Sequence, residues 1–138
     1  MNVRLLSLSL MAATGLAGCG PSEPPAPPPP PPTEVAAVKT PPPQYPLELA
    51  CMGVGGTSTF KVTIGTDGKP SEVALLTGAG NPQLDELAKT AVQGWQFNAA
   101  TRNGQPVPAT IQVPVSFNPP QPKPDQCFAI EERLRRGG

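Results

Sequence analysis

Proline restricts what this chain can fold into more than any other residue does. Of its 138 residues 22 are proline, concentrated in a tract that contains Pro24-Pro25 and Pro27 to Pro32. Proline has no backbone N–H and a fixed φ angle, so such a run cannot join a β-ladder and favours an extended polyproline II rod. We therefore predict a stiff spacer over residues 20–43, which spans about 80 Å from Cys19 to Tyr45. Docking of the tract on an aromatic groove of a partner is the alternative.

The N-terminus has the pattern of a bacterial lipoprotein signal. Arg4 supplies a positive n-region, residues 5–13 form an apolar h-region, and Leu16-Ala17-Gly18-Cys19 is a lipobox. The apolar stretch is too short to cross a bilayer as a helix. We expect residues 1–18 to be removed and Cys19 to carry the lipid, while an ordinary signal peptide with a coincidental cysteine is the alternative. In Gram-negative sorting, Asp directly after the lipidated cysteine retains a lipoprotein in the inner membrane. Here that position is Gly20, which favours the outer membrane.

Composition argues against catalysis and against nucleic-acid binding. The chain has no histidine, which removes the usual general base near neutral pH and the commonest zinc ligand. Without Arg4, nine basic side chains face ten acidic ones, so no electrostatic attraction to nucleic acid is expected. Trp95 and Phe97 can stack on a ligand, but large apolar residues at helical spacing are more often core. We predict a protein that is not an enzyme and that needs no metal or cofactor.

Alternating apolar and polar residues predict four strands, and two glycine-containing turns connect strands. The turns are Asp67-Gly68 and Asn103-Gly104. The strands are Thr57–Ile64, Glu72–Thr77, Gln96–Thr101 and Val107–Phe117.

Helical spacing predicts a short helix over Pro46–Met52 and a longer one that follows Asn81 as its cap. Within the longer helix we expect Asp85 and Lys89 to form an exposed i,i+4 ion pair. Its apolar face is formed by Leu84, Leu87, Ala88, Ala91, Val92 and Trp95.

The order of the strands follows from their connections. The hairpin places the first two main strands side by side, and the intervening helix lets the last strand lie against the free edge of the first. Pro114 lies in that last strand, and proline in a sheet is found essentially only on edge strands or at bulges. We therefore predict that the strand Val107–Phe117 has an unpaired outer edge.

The tail is predicted to form a helix capped by Asp125, in which Cys127, Ile130 and Leu134 share one face. Once Cys19 is lipidated, Cys51 and Cys127 form an even pair in an oxidising compartment, which favours a disulfide. Two buried free thiols are the alternative. The sequence does not fix whether the tail covers the edge of the sheet.

Six short motifs occur in order between Gln44 and Phe117, and in this combination the chain resembles the C-terminal domain of the TonB family. The resemblance implies an α+β fold in two layers, a three-stranded antiparallel sheet with helices on one face, followed here by a helical tail. The implied division is a signal at 1–18, a lipidated linker at 19–43, the domain at 44–118 and a tail at 119–138. The motifs are Tyr45-Pro46, Phe60-Lys61-Val62-Thr63-Ile64-Gly65-Thr66-Asp67-Gly68, Leu84-Asp85, Trp95-Gln96-Phe97, Asn103-Gly104-Gln105-Pro106-Val107 and Val113-Pro114-Val115-Ser116-Phe117.

The resemblance also implies a function. In this family the last strand accepts an extended peptide from the plug of an outer-membrane transporter, so the implied partner is such a transporter or another periplasmic protein. Gln44 and Tyr45 are expected to lie near the receiving strand. The receiving residues would be Ile111, Gln112, Val113, Pro114, Val115, Ser116 and Phe117.

Two features differ from an energy transducer of this family. A lipid anchor replaces the N-terminal transmembrane helix, and the spacer is shorter than a crossing of the periplasm requires. The preferred hypothesis is a periplasmic, lipid-anchored accessory to TonB-dependent transport that binds a peptide by strand addition. The alternative is a structural envelope lipoprotein that tethers peptidoglycan or a protein complex.

Overall fold

The structure is a computed structural model that describes residue 15 and residues 18–137. The predicted n-region and h-region of the signal, with Leu16 and Ala17, lie outside the described residues. Residues 18–32 are exposed and contain no helix or strand. None of the described helices is long and apolar enough to cross a membrane.

The described residues after this segment form three helices and seven strands. In chain order they are β1 (Ala36–Lys39), α1 (Leu47–Cys51), β2 (Gly56–Ile64), β3 (Pro70–Thr77), α2 (Pro82–Gln93), β4 (Gln96–Asn98), β5 (Ala100–Arg102), β6 (Gln105–Val107), β7 (Ala109–Phe117) and α3 (Gln126–Arg136).

The main sheet has three antiparallel strands in the order β3-β2-β7, which confirms the predicted order. One face of this sheet is buried and the other is exposed, because the burial of β2 and β7 alternates along each strand. Helix α2 covers the buried face and contributes Leu84, Ala88 and Val92 to the core. The sheet supplies the rest of that core through Phe60, Val62, Ile64, Val113, Val115 and Phe117.

Helix α2 begins as predicted and ends earlier than predicted. The side chain of Asn81 accepts hydrogen bonds from the backbone N–H groups of Gln83 and Leu84, which satisfies two donors that a helix start leaves free. Gly94 caps the C-terminus, so Trp95 lies beyond the helix and packs partly buried against the core. The predicted pair of Asp85 with Lys89 is wrong, because Asp85 instead accepts hydrogen bonds from Ser58 and from the backbone of Ala79.

A second, smaller set of strands lies beside the main sheet. β1 pairs with β4, and β5 pairs with β6 across the predicted Asn103-Gly104 turn, where both residues have positive φ angles. The single strand predicted over Val107–Phe117 is interrupted at Pro108, which lacks the N–H that a continuous ladder would use. β1 was not predicted, and it lies in the segment assigned to the spacer.

The tail forms α3, which packs on α1. The structure contains the predicted disulfide between Cys51 and Cys127, and both cysteines are fully buried with Ile130. Asp125 occupies the predicted N-cap position, but its side chain makes no capping hydrogen bond. Within α3, Glu132 pairs with Arg136 at i,i+4 spacing.

Candidate functional site

The outer edge of β7 is the feature of the fold best suited to binding. β7 pairs with β2 through nine consecutive residue pairs, from Gly56 opposite Phe117 to Ile64 opposite Ala109, without a register shift. On its other side β7 pairs with none of the residues that the structure describes. A regular edge of this kind presents a row of free backbone donors and acceptors.

The backbone groups that face outwards are identified by their alternation along β7. In an antiparallel pair the N–H and C=O of one residue point to the same side, and those of the next residue point to the opposite side. The carbonyl oxygen of Phe117 lies close to Gly55, the residue that precedes β2, because a Cβ placed on Gly55 would be 2.4 Å from this oxygen. The carbonyl of Phe117 therefore points towards β2. Residues 109, 111, 113, 115 and 117 therefore bond to β2, and Thr110, Gln112, Pro114 and Ser116 face outwards.

Pro114 fits this alternation. It lies opposite Thr59, and its missing N–H falls on the open edge, where the ladder with β2 loses no bond. The outer edge therefore offers three N–H donors, from Thr110, Gln112 and Ser116, and four carbonyl acceptors.

The two faces beside this edge differ in polarity. Val113, Val115 and Phe117 are buried on the core face. The opposite face is polar, with hydrogen bonds between the hydroxyls of Thr57 and Ser116 and those of Thr63 and Thr110. A strand added to β7 would therefore meet apolar groups on one face and hydroxyl groups on the other.

Tyr45 lies at the C-terminal end of β7. Its ring packs edge-on against Phe117 with 5.3 Å between centroids, and its hydroxyl donates a 2.7 Å hydrogen bond to the carbonyl of Val54. Desolvation by burial raises the pKa of Tyr45 above its usual value of 10.0. The structure thus brings Tyr45 together with the predicted receiving strand.

Gln44 has different surroundings. It lines an open cleft of about 260 Å³ on α2, together with Pro42, Pro43 and Leu87. A role for Gln44 beside the edge stays a prediction.

The sheet has a second edge, along β3, but that edge is irregular. The register with β2 shifts twice, between Thr59 and Phe60 and between Thr63 and Ile64. Bulges of this kind twist an edge away from further pairing. Leu75 and Leu76 are about half exposed on this strand, at 47% and 49%. Of the two edges, only that of β7 is regular along its whole length.

A buried hydrogen-bond network fixes the end of the β2–β3 hairpin against α2. Ser58 is fully buried, and its hydroxyl donates to a carboxylate oxygen of Asp85 at 2.7 Å. The backbone N–H of Ala79 donates to the same oxygen at 2.8 Å. Sequence reasoning missed Ser58, although it occupies a core-facing position in the alternation of β2.

Together these features define a small α+β domain with one regular, unpaired sheet edge. The family model described as Gram-negative bacterial TonB protein C-terminal matches residues 41–119, which is more than half of the chain. The chain therefore belongs to the TonB C-terminal family. Residues 120–137, with α3, lie outside the matched region.

The chain is also similar to individual proteins and to one solved structure. The chain is 34% identical to protein TonB of Xanthomonas campestris pv. campestris over 84 residues, which are 61% of this chain and 38% of that protein. It is 32% identical to protein tonB2 of Pseudomonas aeruginosa over 77 residues, 56% of this chain and 28% of that protein. The chain thus spans well under half the length of these relatives. The solution NMR structure of the Pseudomonas aeruginosa TonB CTD superposes with a TM-score of 0.49 at 21% identity, over 66% of this chain and 90% of that one.

Proposed function

We propose that this protein is a periplasmic lipoprotein whose domain binds an extended peptide along the outer edge of β7, in association with TonB-dependent transport across the outer membrane. The observation that carries the proposal is the unbroken β2–β7 ladder with an outer edge that no described residue occupies. The proposed peptide belongs to an outer-membrane transporter or another periplasmic protein.

Strand addition suits this edge for two reasons. The donors of Thr110, Gln112 and Ser116 and the outward carbonyls would bond to the main chain of the peptide, and main-chain bonds supply affinity in this mode of recognition. Alternate side chains of the peptide would then fall beside Phe117 and Tyr45 on one face and beside hydroxyl groups on the other. A peptide with alternating apolar and polar residues satisfies both faces.

The proposed anchor is the lipid on Cys19. Cys19 is exposed and is followed by the proline tract, which suits a tethered N-terminus. Each buried methylene group contributes about 0.8 kcal/mol, so several acyl chains on one cysteine make a durable anchor. We place the anchor in the outer membrane, on the basis of Gly20.

The test is a titration of the full chain with peptides from the N-terminal segments of transporter plugs, followed by backbone NMR. In a Cys19→Ser chain exported to the periplasm, the free cysteine is removed and the Cys51–Cys127 disulfide can form. Shifts concentrated at Ile111 to Phe117 are expected. The absence of such shifts, with retention of the protein on peptidoglycan, would instead support the structural tether.

Two substitutions at one position sharpen this test. Gln112→Pro removes an outward N–H from the middle of the edge, whereas Gln112→Ala removes the exposed side chain and keeps that N–H. We expect affinity to fall about tenfold or more for Gln112→Pro and to stay within about twofold for Gln112→Ala. Thermal unfolding of both variants checks that the domain still folds. Equal losses in two folded variants would contradict pairing through the backbone.

A further inference from the structure

The C-terminal part of the proline-rich spacer is itself paired to the domain. β1 runs antiparallel to β4, with Ala36 opposite Asn98, Ala37 opposite Phe97 and Lys39 opposite Gln96. Further out, Thr33 and Thr101 exchange two backbone hydrogen bonds of 3.1 and 3.0 Å. We call residues 33–41 the strap.

Side chains add to this pairing at both ends of the strap. The hydroxyls of Thr33 and Thr101 lie 2.7 Å apart. Arg102 donates to the carbonyl of Thr33 at 3.1 Å and pairs with Glu34 at 3.2 Å. At the other end the indole N–H of Trp95 donates to the carbonyl of Pro41 at 2.9 Å.

The strap nevertheless buries little apolar surface. All four residues of β1 are exposed, and Val38 retains 59% of its accessible surface. Val35 is the strap residue that packs, partly buried, against the main core. Strand β2, by contrast, contributes the fully buried side chains of Phe60 and Val62 to the core. Segments with few buried apolar contacts and exposed hydrogen bonds open at lower free energy than core strands.

We propose that the strap is a releasable section of the spacer, which detaches from residues 96–102 while the core stays folded. Release moves the first spacer residue held by the domain from Thr33 to beyond Pro41. The free segment measured from Cys19 then grows from about 43 Å to about 68 Å in polyproline II geometry. The domain can therefore extend its reach under tension without losing the β7 edge.

This inference goes beyond the proposed function, and its test needs neither a membrane nor a peptide. Failure of strap release and failure of peptide binding are therefore separate results. Amide hydrogen exchange of the full Cys19→Ser chain measures the opening directly.

We expect the strap amides that bond to residues 96–102, such as that of Thr33, which donates to the carbonyl of Thr101, to exchange at least about tenfold more slowly than those of Ser22 and Glu23. We expect them to exchange at least about 100-fold faster than those of Phe60 and Val62. Exchange as fast as at Ser22 would show that the strap is not docked. Exchange at the core rate would show that it opens only when the whole domain unfolds. Either result overturns the proposal.

Two variants test the cause. Arg102→Ala removes the contacts to Thr33 and Glu34, and we expect exchange in the strap to rise about threefold to tenfold with no change at Phe60. Arg133→Ala, on α3, is the matched control and should change neither region.

The double substitution Thr33→Cys/Thr101→Cys, oxidised, should slow strap exchange towards the core rate. An oxidised strap that still exchanges at the original rate would contradict release as a unit.

Discussion

The hydroxyl of Ser58 donates a 2.7 Å hydrogen bond to the carboxylate of Asp85, and Ser58 is fully buried. The bond joins β2 to the first turn of α2 across 27 residues of sequence. The same carboxylate oxygen accepts the N–H of Ala79, which closes the loop between β3 and α2. The Leu84-Asp85 motif thus has two structural roles, because Leu84 fills the core and Asp85 satisfies buried donors.

Removal of this carboxylate should destabilise the domain. Asp85→Ala leaves a buried hydroxyl and a backbone N–H without an acceptor, and we expect the free energy of unfolding to fall by about 2 to 3 kcal/mol. Glu86→Ala, at the exposed neighbouring position, should cost less than about 0.5 kcal/mol. Urea denaturation measures both. If Ser58→Ala costs as much in the Asp85→Ala background as in the wild type, the two groups are not coupled.

Two glycines with similar backbone angles should respond differently to alanine. Gly53 and Gly68 have φ angles of +73° and +77°, but only at Gly68 does an added Cβ meet a neighbour, the carbonyl oxygen of Phe97 at 2.0 Å. We expect Gly53→Ala to cost about 1 kcal/mol from the left-handed conformation alone. Gly68→Ala should cost about 3 kcal/mol or more, because the hairpin must move away from β4. Equal losses in denaturation experiments would contradict the close contact of hairpin and β4.

Loss of the disulfide should weaken the protein without removing its fold. The bond closes an interval of 76 residues. In the chain-entropy model this stabilises the folded state by about 4 to 5 kcal/mol. Reduction, or Cys51→Ala/Cys127→Ala, should lower the free energy of unfolding by that order and release α3, while the amide signals of β2 and β7 persist. Unchanged stability, or loss of the β2 and β7 signals, would contradict this division.

Tyr45 is the only tyrosine in the chain, so its ionisation can be followed by absorbance without ambiguity. Burial raises the pKa of its phenol above 10.0, and we expect a midpoint above that value in the folded protein and a return to it in urea. The folded state holds this proton more tightly, so the contribution of Tyr45 to stability is complete below pH 10 and is lost as the pH rises through the folded pKa. Tyr45→Phe should remove that decline. A midpoint at or below 10.0 in the folded protein would contradict the buried environment.

Local chemistry explains why much of this fold is predictable from sequence. Alternation along β2 and β7, the cap at Asn81 and the Asn103-Gly104 turn all depend on neighbouring residues. The helix between β3 and β7 then fixes the strand order, and Pro114 identifies the open side of β7.

The features that sequence reasoning missed depend on distant partners. β1 has four residues with no buried face, so nothing in its own pattern marks it as a strand, and its partner β4 lies far along the chain. The role of Asp85 depends on Ser58, and the expected pair with Lys89 considered the helix alone. The place of Gln44, in the cleft on α2, is likewise set by packing between elements.

Residue-by-residue hydrogen exchange along β7 tests the open edge most directly. In the free protein we expect rapid exchange at Gln112 and Ser116, whose N–H groups face outwards, and slow exchange at Val113 and Val115, which bond to β2. Addition of a bound transporter peptide should slow exchange at Gln112 and Ser116. Protection of Gln112 and Ser116 in the free protein, equal to that of Val113, would show that the edge is already occupied and would contradict the proposal.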